Sequence, residues 1–324
     1  MLRKNLRHLV CPSCKGDLVI DAILKQNFDF IETGRLGCSR CIEKYEIVRG
    51  IPRFVESQHY TSGFGLEWTK HAKTQYDSYS GVPISETRFF DETKWSRHLE
   101  EQLILEVGGG SGRFTEQAAS TGAMVLSIDL SYAVEANYAS NGTKPNVLIV
   151  QGDLYQMPFR ENYFDKLFCI GVLQHTPDIR EAFMGLPRYL KSGGGMVIDV
   201  YRKGEKLLNL RRLARFYTKH IPPEKLYKMC AQYVKRIWPL VRFLDRSARK
   251  RFIGLFLIPY YKQYDLSEAM LKEWALLDLF DILSARYEHR VSLETVKQWF
   301  QHAHMQNIEV HYGYNGIEGR GIRP

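Results

Sequence analysis

An apolar segment at residues 103–107 leads directly into a glycine-rich turn, with glycines at positions 108, 109, 110 and 112. A helical stretch follows this turn. Glycines let the backbone approach a ligand closely, and the start of a helix presents free amide groups. A dinucleotide-binding fingerprint would have its third glycine at position 113, which is arginine here. The segment therefore predicts a strand, a ligand-binding loop and a helix in succession.

Four more apolar segments follow the turn, at residues 124–129, 147–154, 164–175 and 196–201. Helical stretches separate them, and this alternation predicts an α/β fold with a doubly wound, mostly parallel sheet. Ligands bind at the carboxyl ends of the strands in such a sheet. Asp129 ends the second segment, about 20 residues beyond the glycine turn, where a carboxylate can accept hydrogen bonds from ribose hydroxyl groups.

Residues 101–201 contain a series of short motifs: Glu106-x-Gly108-x-Gly110-x-Gly112, Asp129, Gly152-Asp153, Phe164-Asp165 and Leu190-Lys-x-Gly-Gly. Together they resemble the motifs of the class I S-adenosylmethionine-dependent methyltransferases. The resemblance implies a Rossmann-like sheet and S-adenosyl-L-methionine as the cofactor. It implies cofactor contacts at Glu106, Gly108, Gly109, Gly110, Gly112, Asp129, Leu130, Asp153, Leu154 and Gly171.

By the same resemblance, Glu106 and the glycine turn would hold the methionine part of the cofactor. Asp129 would hold the ribose, and Asp153 with Leu154 the adenine. Two of these residues also have a purely structural interpretation. Asp153 could cap a helix, and Glu106 could accept hydrogen bonds from loop amides.

His175 follows the fourth apolar segment and is our candidate catalytic residue. The sulfonium of the cofactor already activates the methyl group, so the protein mainly has to align an acceptor and exclude water. An acceptor that is a hydroxyl or a protonated amine needs a base, and His175 would stand beside the cofactor. The equally weighted alternative is that His175 orients the loop at residues 174–178.

Four of the six cysteines form two C-x-x-C pairs, Cys11 with Cys14 and Cys38 with Cys41, with 23 residues between the pairs. This is the spacing of a four-cysteine zinc ribbon, in which a short hairpin brings both pairs to one tetrahedral ion. Two disulfides are disfavoured because no secretory signal is visible, and a redox motif would not need a duplicate. We expect structural Zn²⁺ that takes no part in catalysis, because four thiolates leave no open position.

Around these cysteines lie Leu9-Val10-Cys11-Pro12, Gly37-Cys38, Tyr45-x-Ile47 and Gly50-Ile51-Pro52. These segments resemble the small zinc-ribbon module that occurs as a methyltransferase activator subunit, and as a fused N-terminal module of some methyltransferases. The resemblance covers residues 5–56.

Positive charge is concentrated in one segment. The whole chain has a net charge of +9, whereas residues 202–262 hold 17 Lys or Arg against 3 acidic residues, or +14, which leaves −5 elsewhere. The segment has a helical pattern, and the run Arg249-Lys250-Arg251 adjoins an apolar stretch. We expect this segment to form a helical lid over the mouth of the cofactor site. Its basic residues would fit a phosphorylated or lipid-linked acceptor, an anionic membrane surface or RNA. The alternative is an ordinary lid helix whose basic face contacts only solvent.

Aromatic residues suggest where an acceptor would bind. Phe64 and Trp68 are four residues apart and share a helix face, so they are either packing residues or part of a substrate pocket. We take Tyr60, Phe64, Trp68 and Tyr201 as candidate substrate residues. Together with residues 315–321, the stretch at 60–68 is similar to uncharacterised bacterial methyltransferases associated with cell-surface glycan biosynthesis.

These expectations divide the chain into a zinc ribbon at 1–56, a linker and helical cap at 57–100, a methyltransferase domain at 101–201 plus 286–324, and a basic helical lid at 202–285. They predict methyl transfer to an anionic small-molecule or glycan-pathway acceptor, phosphorylated or lipid-linked. The first alternative is an rRNA or tRNA base methyltransferase, although Cys169-Ile170-Gly171-Val172 stands where an RNA-specific Asn-Pro-Pro-Tyr would lie. A non-catalytic cofactor-binding scaffold is the second alternative.

The longest uncharged apolar run covers residues 252–261, about half of the ~20 residues that span a bilayer. We therefore expect no transmembrane helix and a cytoplasmic protein, with the basic lid allowing a peripheral position at a membrane. The sequence does not fix the oligomeric state.

Overall fold

Two sheets organise the chain in the computed structural model, which describes residues 1–55, 62–204, 210–246, 256, 258–261 and 263–324. The smaller sheet is antiparallel, with strands in chain order. Its strands are β1 (Leu18–Asn27), β2 (Phe30–Cys38), β3 (Lys44–Val48) and β4 (Ile51–Pro52). Ile31, Leu36 and Ile47 of this sheet are fully buried and belong to one apolar cluster. This sheet confirms the expected ribbon-like module before the main fold.

The larger sheet has seven strands. They are β5 (Leu103–Val107), β6 (Met124–Asp129), β7 (Val147–Gln151), β8 (Phe164–Cys169), β9 (Leu190–Val200), β10 (Gln306–Gly313) and β11 (Gly316–Ile322). The spatial order is β10-β11-β9-β8-β5-β6-β7. Strands β5 to β9 are parallel, whereas β11 runs antiparallel to β9 and β10 antiparallel to β11. The predicted Rossmann-like sheet is confirmed.

Two strands are shorter than the apolar segments that predicted them. The segment at 164–175 leaves the sheet at Cys169, because Gly171 adopts a φ of +77° and residues Leu173–His175 form a 3-10 turn. The segment at 147–154 leaves the sheet at Gln151. Asp153 then caps a second 3-10 turn by accepting a hydrogen bond from the Tyr155 amide at 3.0 Å. Both breaks lie at the carboxyl edge of the sheet.

Ten α-helices are assigned within the described ranges. They are α1 (Ser62–Lys70), α2 (Asp77–Ser80), α3 (Ile84–Thr93), α4 (Arg113–Ser120), α5 (Val134–Asn141), α6 (Ile179–Gly185), α7 (Leu210–Thr218), α8 (Pro223–Arg246), α9 (Glu268–Ser284) and α10 (Leu293–His302). Ser292 caps α10 by accepting a hydrogen bond from the Thr295 amide at 3.1 Å, as predicted.

Helices α7, α8 and α9, the lid helices, lie between β9 and α10 and have a core of their own. Val241, Ala275 and Phe280 are fully buried there, and residues of α1 and α3 join the same apolar cluster. The predicted helical insertion is thus confirmed, and it packs against the helices that precede the large sheet. The basic run Arg249-Lys250-Arg251 lies outside the described residues.

The small sheet is attached to an edge of the large one. The Phe54 amide donates a hydrogen bond to the Gln151 carbonyl at 2.8 Å, and Arg53 forms a parallel bridge to the same residue. Lys15 donates from Nζ to the Met157 carbonyl at 2.7 Å. The ribbon therefore covers β7, whose backbone would otherwise be an open sheet edge.

Candidate functional site

The turn between β5 and α4 has no room for a side chain at Gly108 or Gly109. Gly108 has a φ of +80°, and a Cβ at this position would lie 2.3 Å from Val172 Cγ2. A Cβ on Gly109 would lie 2.2 Å from Ser127 Oγ. The Gly110 amide donates to Asp129 Oδ2 at 2.9 Å. The turn is therefore a backbone cradle fixed to the end of β6.

Asp129 keeps acceptor capacity for a ligand. It accepts from Gly110 and, through Oδ1, from the Ser131 amide at 2.8 Å and the Ser131 hydroxyl at 2.7 Å. A carboxylate offers about four acceptor positions, so one remains. Burial raises the pKa of Asp129, and the hydrogen bonds from Ser131 and Gly110 oppose that shift. This residue can bind a ribose hydroxyl.

Glu106 lies beneath the turn and outside the cavity lining. Its side chain is 2% exposed and accepts a hydrogen bond from the Thr115 hydroxyl at the start of α4. Burial raises the pKa of Glu106 to about 7, opposed by the hydrogen bonds from Thr115 and Ser127. Glu106 thus braces the turn against the helix.

A cavity of about 370 Å³ opens at the carboxyl edge of the large sheet. It brings together most of the predicted residues: Gly108, Gly109, Gly110, Asp129, Leu130, Asp153, Leu154, Gly171, His175, Trp68 and Tyr201. Gly112, like Glu106, does not line it. Tyr60 lies outside the described residues, and Phe64 falls within α1 with its side chain outside them.

His175 lies between the strand end and the lid. Its Nδ1 donates to the Tyr287 carbonyl at 3.1 Å, and its ring meets Tyr201 edge-on at 5.5 Å. Burial lowers the pKa of His175 to about 4, although the Tyr287 carbonyl opposes the shift. The imidazole is therefore neutral at pH 7, with the proton on Nδ1 and Nε2 as the accepting nitrogen.

The cavity also has charged residues that the motifs did not indicate. Glu67 comes from α1, Asp278 and Asp281 come from α9, and Arg113 begins α4. A sequence signal for Asp278 and Asp281 exists: these two carboxylates are three residues apart, on one helix face, within the otherwise apolar stretch 274–283 of α9. Helix α9 lies over the strand ends and brings these carboxylates close to the glycine turn at residues 108–112, hereafter the cofactor loop. This placement follows only from tertiary packing.

A second cavity of about 590 Å³ adjoins the first and shares Tyr201, Ile282, Tyr314 and Asn315 with it. Its charged lining consists of Arg202, Arg215, Arg290 and Glu288. Glu288 pairs with Arg290 at 2.8 Å and with Arg215. Three guanidinium groups thus face one carboxylate.

The four predicted cysteines of the ribbon converge. Their sulfur atoms all lie within 4.8 Å of one another, with Cys14 Sγ at 3.4 Å from Cys38 Sγ and 3.5 Å from Cys41 Sγ. Cys11 Sγ lies 3.7 Å from Cys41 Sγ. A set of four sulfurs at this separation fits one tetrahedral metal ion.

Comparison with known proteins agrees with this geometry. The sequence model of a family described as a methyltransferase domain matches residues 105–198. Phosphoethanolamine N-methyltransferase 2 of Caenorhabditis elegans is 29% identical over 153 residues, which are 43% of this chain and 35% of that protein. Ubiquinone biosynthesis O-methyltransferase of Rickettsia akari is 26% identical over 151 residues, 42% of this chain and 59% of that protein.

tRNA U34 carboxymethyltransferase of Ruthia magnifica is 27% identical over 149 residues, 41% of this chain and 46% of that protein. The chain thus spans less than two thirds of the length of each of these three relatives. The matched region contains the glycine turn, Asp129 and Asp153. Residues 105–198 are therefore similar to a methyltransferase domain, and the motifs predicted to bind the cofactor lie within this matched region.

Proposed function

We propose that this protein transfers a methyl group from S-adenosylmethionine to a small-molecule or glycan-pathway acceptor that contains a phosphate. The supporting observation is that two cavities adjoin each other and share lining residues. One contains the cofactor loop, and the other, which shares four lining residues with it, contains an excess of arginine. Guanidinium groups bind phosphate oxygens in paired hydrogen bonds.

The cofactor would lie along the carboxyl edge of the sheet. The glycine turn would hold its methionine part, Asp129 its ribose, and Asp153 with Leu154 its adenine. When bound, it supplies a methyl group on a sulfonium, which needs no further activation. The protein's own contribution is to hold the acceptor in line and to exclude water, a role suited to the aromatic side chains of Tyr201, Tyr264 and Trp274 that line the cavity.

His175 remains our candidate for receiving a proton from the acceptor, through Nε2. Its neutral state at pH 7 suits that role. Its anchorage to the Tyr287 carbonyl and its contact with Tyr201 equally suit a positioning residue. Among the other sites, the cysteine cluster would bind structural Zn²⁺ and close the ribbon.

The lid helices also suit a position at a membrane surface. Leu213, Phe216 and Tyr217 of α7 are 58%, 64% and 68% exposed, and their spacing puts them on one helix face. The surrounding segment is strongly basic, so this face would lie against anionic lipid headgroups. None of the helices within the described ranges has the length and hydropathy needed to cross a membrane. We propose a cytoplasmic enzyme with peripheral membrane contact.

Calorimetric titration with S-adenosylmethionine tests the cofactor site. We expect binding to the wild-type chain and at least about tenfold weaker binding to Asp129→Ala, because the ribose would lose a charged acceptor. Asp165→Ala is a suitable control, since this carboxylate lies at the start of β8 and bonds to the Leu103 amide. Equal affinity of the wild-type chain and Asp129→Ala would contradict the proposal.

Transfer of a labelled methyl group identifies the acceptor class. Incubation with cell extract should label the low-mass fraction. Label in RNA instead, with binding that weakens steeply as salt rises, would favour the RNA methyltransferase alternative.

A further inference from the structure

The cavity has an acidic wall, formed by Glu67 of α1 and by Asp278 and Asp281 of α9. Glu67 is 1% exposed, and its Oε2 has no hydrogen-bond partner among the described residues. Asp281 Oδ1 is likewise buried and unpartnered within that part of the chain. Asp278 accepts a hydrogen bond from the Tyr261 hydroxyl. A buried carboxylate oxygen without a donor is unfavourable, so these two atoms suit a ligand that brings one.

Two arginines act on the carboxylates of the acidic wall: Arg215 and Arg113 both lower the pKa of Asp281, and Arg113 lowers that of Glu67, although burial outweighs them. Arg88 lines the cavity, but Glu92 and Asp199 each pair with it at 2.5 Å. Arg113 also lines this cavity and interacts electrostatically with Glu67, Asp278 and Asp281. Burial raises the pKa of Glu67 well above its usual range, and the neighbouring Asp281 and Asp278 add to the shift more than Arg113 opposes it.

Aromatic rings complete the same part of the cavity. Trp274 stacks on Tyr264 with ring centres 6.0 Å apart and lies 5.6 Å from the ring of Tyr261. Tyr201 and Trp68 line the cavity beside them. The negative faces of aromatic rings attract cations, and carboxylates combined with such rings form the usual pocket for an ammonium group.

We propose that the acidic wall and these rings bind an ammonium group of the acceptor. This inference rests on the proposed methyltransferase function and narrows its substrate class to a molecule with an amine at one end and an anionic group at the other. The anionic group would occupy the adjoining cavity with Arg202, Arg215 and Arg290.

The α-amino group of the cofactor is a second ammonium group that would fit the acidic wall. Helix α1 passes close to the cofactor loop, since Trp68 Nε1 lies 3.5 Å from the position of a Cβ on Gly110. The experiment therefore has to separate an acceptor amine from the amine of the cofactor.

Two probes of matched size make this separation: O-phosphoethanolamine, which has an amine, and 2-hydroxyethyl phosphate, which has a hydroxyl in its place. Each is titrated into the full chain loaded with S-adenosylhomocysteine, and the tryptophan fluorescence and heat of binding are followed. We expect the amine probe to bind at least about tenfold more tightly, a difference of about 1.4 kcal/mol. Equal affinities, or no binding of either probe, would overturn the proposal.

The variants Glu67→Gln and Asp281→Asn each replace a carboxyl group by an amide at nearly constant volume. In each, the preference for the amine probe should fall at least about fivefold, while affinity for S-adenosylhomocysteine stays within about twofold of wild type. Glu224→Gln, an exposed position in the first turn of α8, is the control and should change neither quantity.

A loss of S-adenosylhomocysteine affinity in Glu67→Gln, with the probe preference retained, would assign the wall to the cofactor and overturn the acceptor assignment. If the wild-type chain does not bind S-adenosylhomocysteine at all, the methyltransferase proposal itself fails. The comparison of the two probes needs no variant, so misfolding of a substituted chain leaves the test intact.

Discussion

A side chain at Gly108 of the cofactor loop would be opposed both by the backbone conformation and by a close contact. Its φ is +80°, and a Cβ would contact Val172 at 2.3 Å. We expect Gly108→Ala to lower the free energy of unfolding by at least about 1 kcal/mol, because both the backbone and the contact oppose a methyl group. S-adenosylhomocysteine affinity should fall at least about tenfold, since the turn lines the cavity. A thermal melt and calorimetry measure the two effects.

Gly193 provides the matched control. Its φ is +77°, but a Cβ there would have no atom within 4 Å. Gly193→Ala should therefore lose stability through the backbone alone and keep its affinity for S-adenosylhomocysteine. The same loss of affinity in both variants would show that the effect comes from general destabilisation.

His175 makes the stability of the protein depend on pH. Burial lowers its pKa from 6.5 to about 4, so the unfolded chain binds this proton more readily than the folded chain. The contribution of His175 to the free energy of unfolding is therefore constant above about pH 6.5, and the folded state loses stability as the pH falls toward 4. Over this interval we expect the wild-type chain to lose about 3 kcal/mol more than His175→Asn.

Denaturant titrations at pH 7 and pH 4 give this difference. The pKa values of Glu106 and Asp281 are raised to about 7 and about 6, so these groups stabilise the folded state as the pH falls. Both chains have these residues, and their effect therefore cancels in the comparison. His98→Asn, at a side chain 85% exposed, should follow the wild-type curve. Parallel curves for the wild-type chain and His175→Asn would contradict the prediction.

At the level of elements, the parallel strands were predictable because each is a short apolar run bounded by turn residues. The residues at which these strands end were less predictable. The run at 164–175 stays apolar beyond Cys169, and only the left-handed conformation of Gly171 ends the strand there. The carboxylates of the acidic wall were not predictable, because Glu67 and Asp281 are far apart in sequence and meet only when α1 packs against α9.

The ribbon is an element whose stability we expect to depend on metal. Its buried residues Leu9, Ile31 and Leu36 belong to the same apolar cluster as Leu105 of β5. Loss of the ion should therefore loosen the ribbon and uncover the β7 edge. Cys11→Ser should bind far less than one zinc ion per chain and lose several kcal/mol of stability, because metal binding and folding of such modules are coupled.

Elemental analysis of the purified chain and chemical denaturation measure these two losses. Cys230→Ala is the control, since this buried cysteine of α8 lies outside the sulfur cluster. It should lower stability through the cavity it leaves and retain one zinc ion. A wild-type chain without zinc, or Cys11→Ser with a full complement, would contradict the assignment.

At the scale of the whole molecule, the net charge of +9 hides two regions of opposite sign. Residues 202–262 hold +14, yet the cavity next to them is lined by Glu67, Asp278 and Asp281. Charge counted along the sequence therefore points to the arginines of the second cavity but not to the carboxylates of the acidic wall. Charge counted along the sequence cannot distinguish side chains that face solvent from those that a fold turns inward.

The outward face of α7 combines exposed apolar side chains with a strongly basic surrounding segment. Phe216 is 64% exposed on the same face as Leu213 and Tyr217, within the basic segment. The full chain should sediment with vesicles of mixed neutral and anionic phospholipid, and less so as salt rises, because the Debye length shortens. Phe216→Ser should weaken this binding about tenfold, as a ring that would enter the headgroup region is removed.

Phe28 is the control for exposed aromatic area. It is 92% exposed at the turn between β1 and β2, in the ribbon and away from the lid helices. Phe28→Ser should bind vesicles like the wild-type chain, because the ribbon does not share the basic segment. Equal binding of all three chains would mean that charge alone holds the protein to lipid. Absence of binding to anionic vesicles would remove the membrane from the proposed partners and leave the lid to a phosphate-containing molecule or RNA.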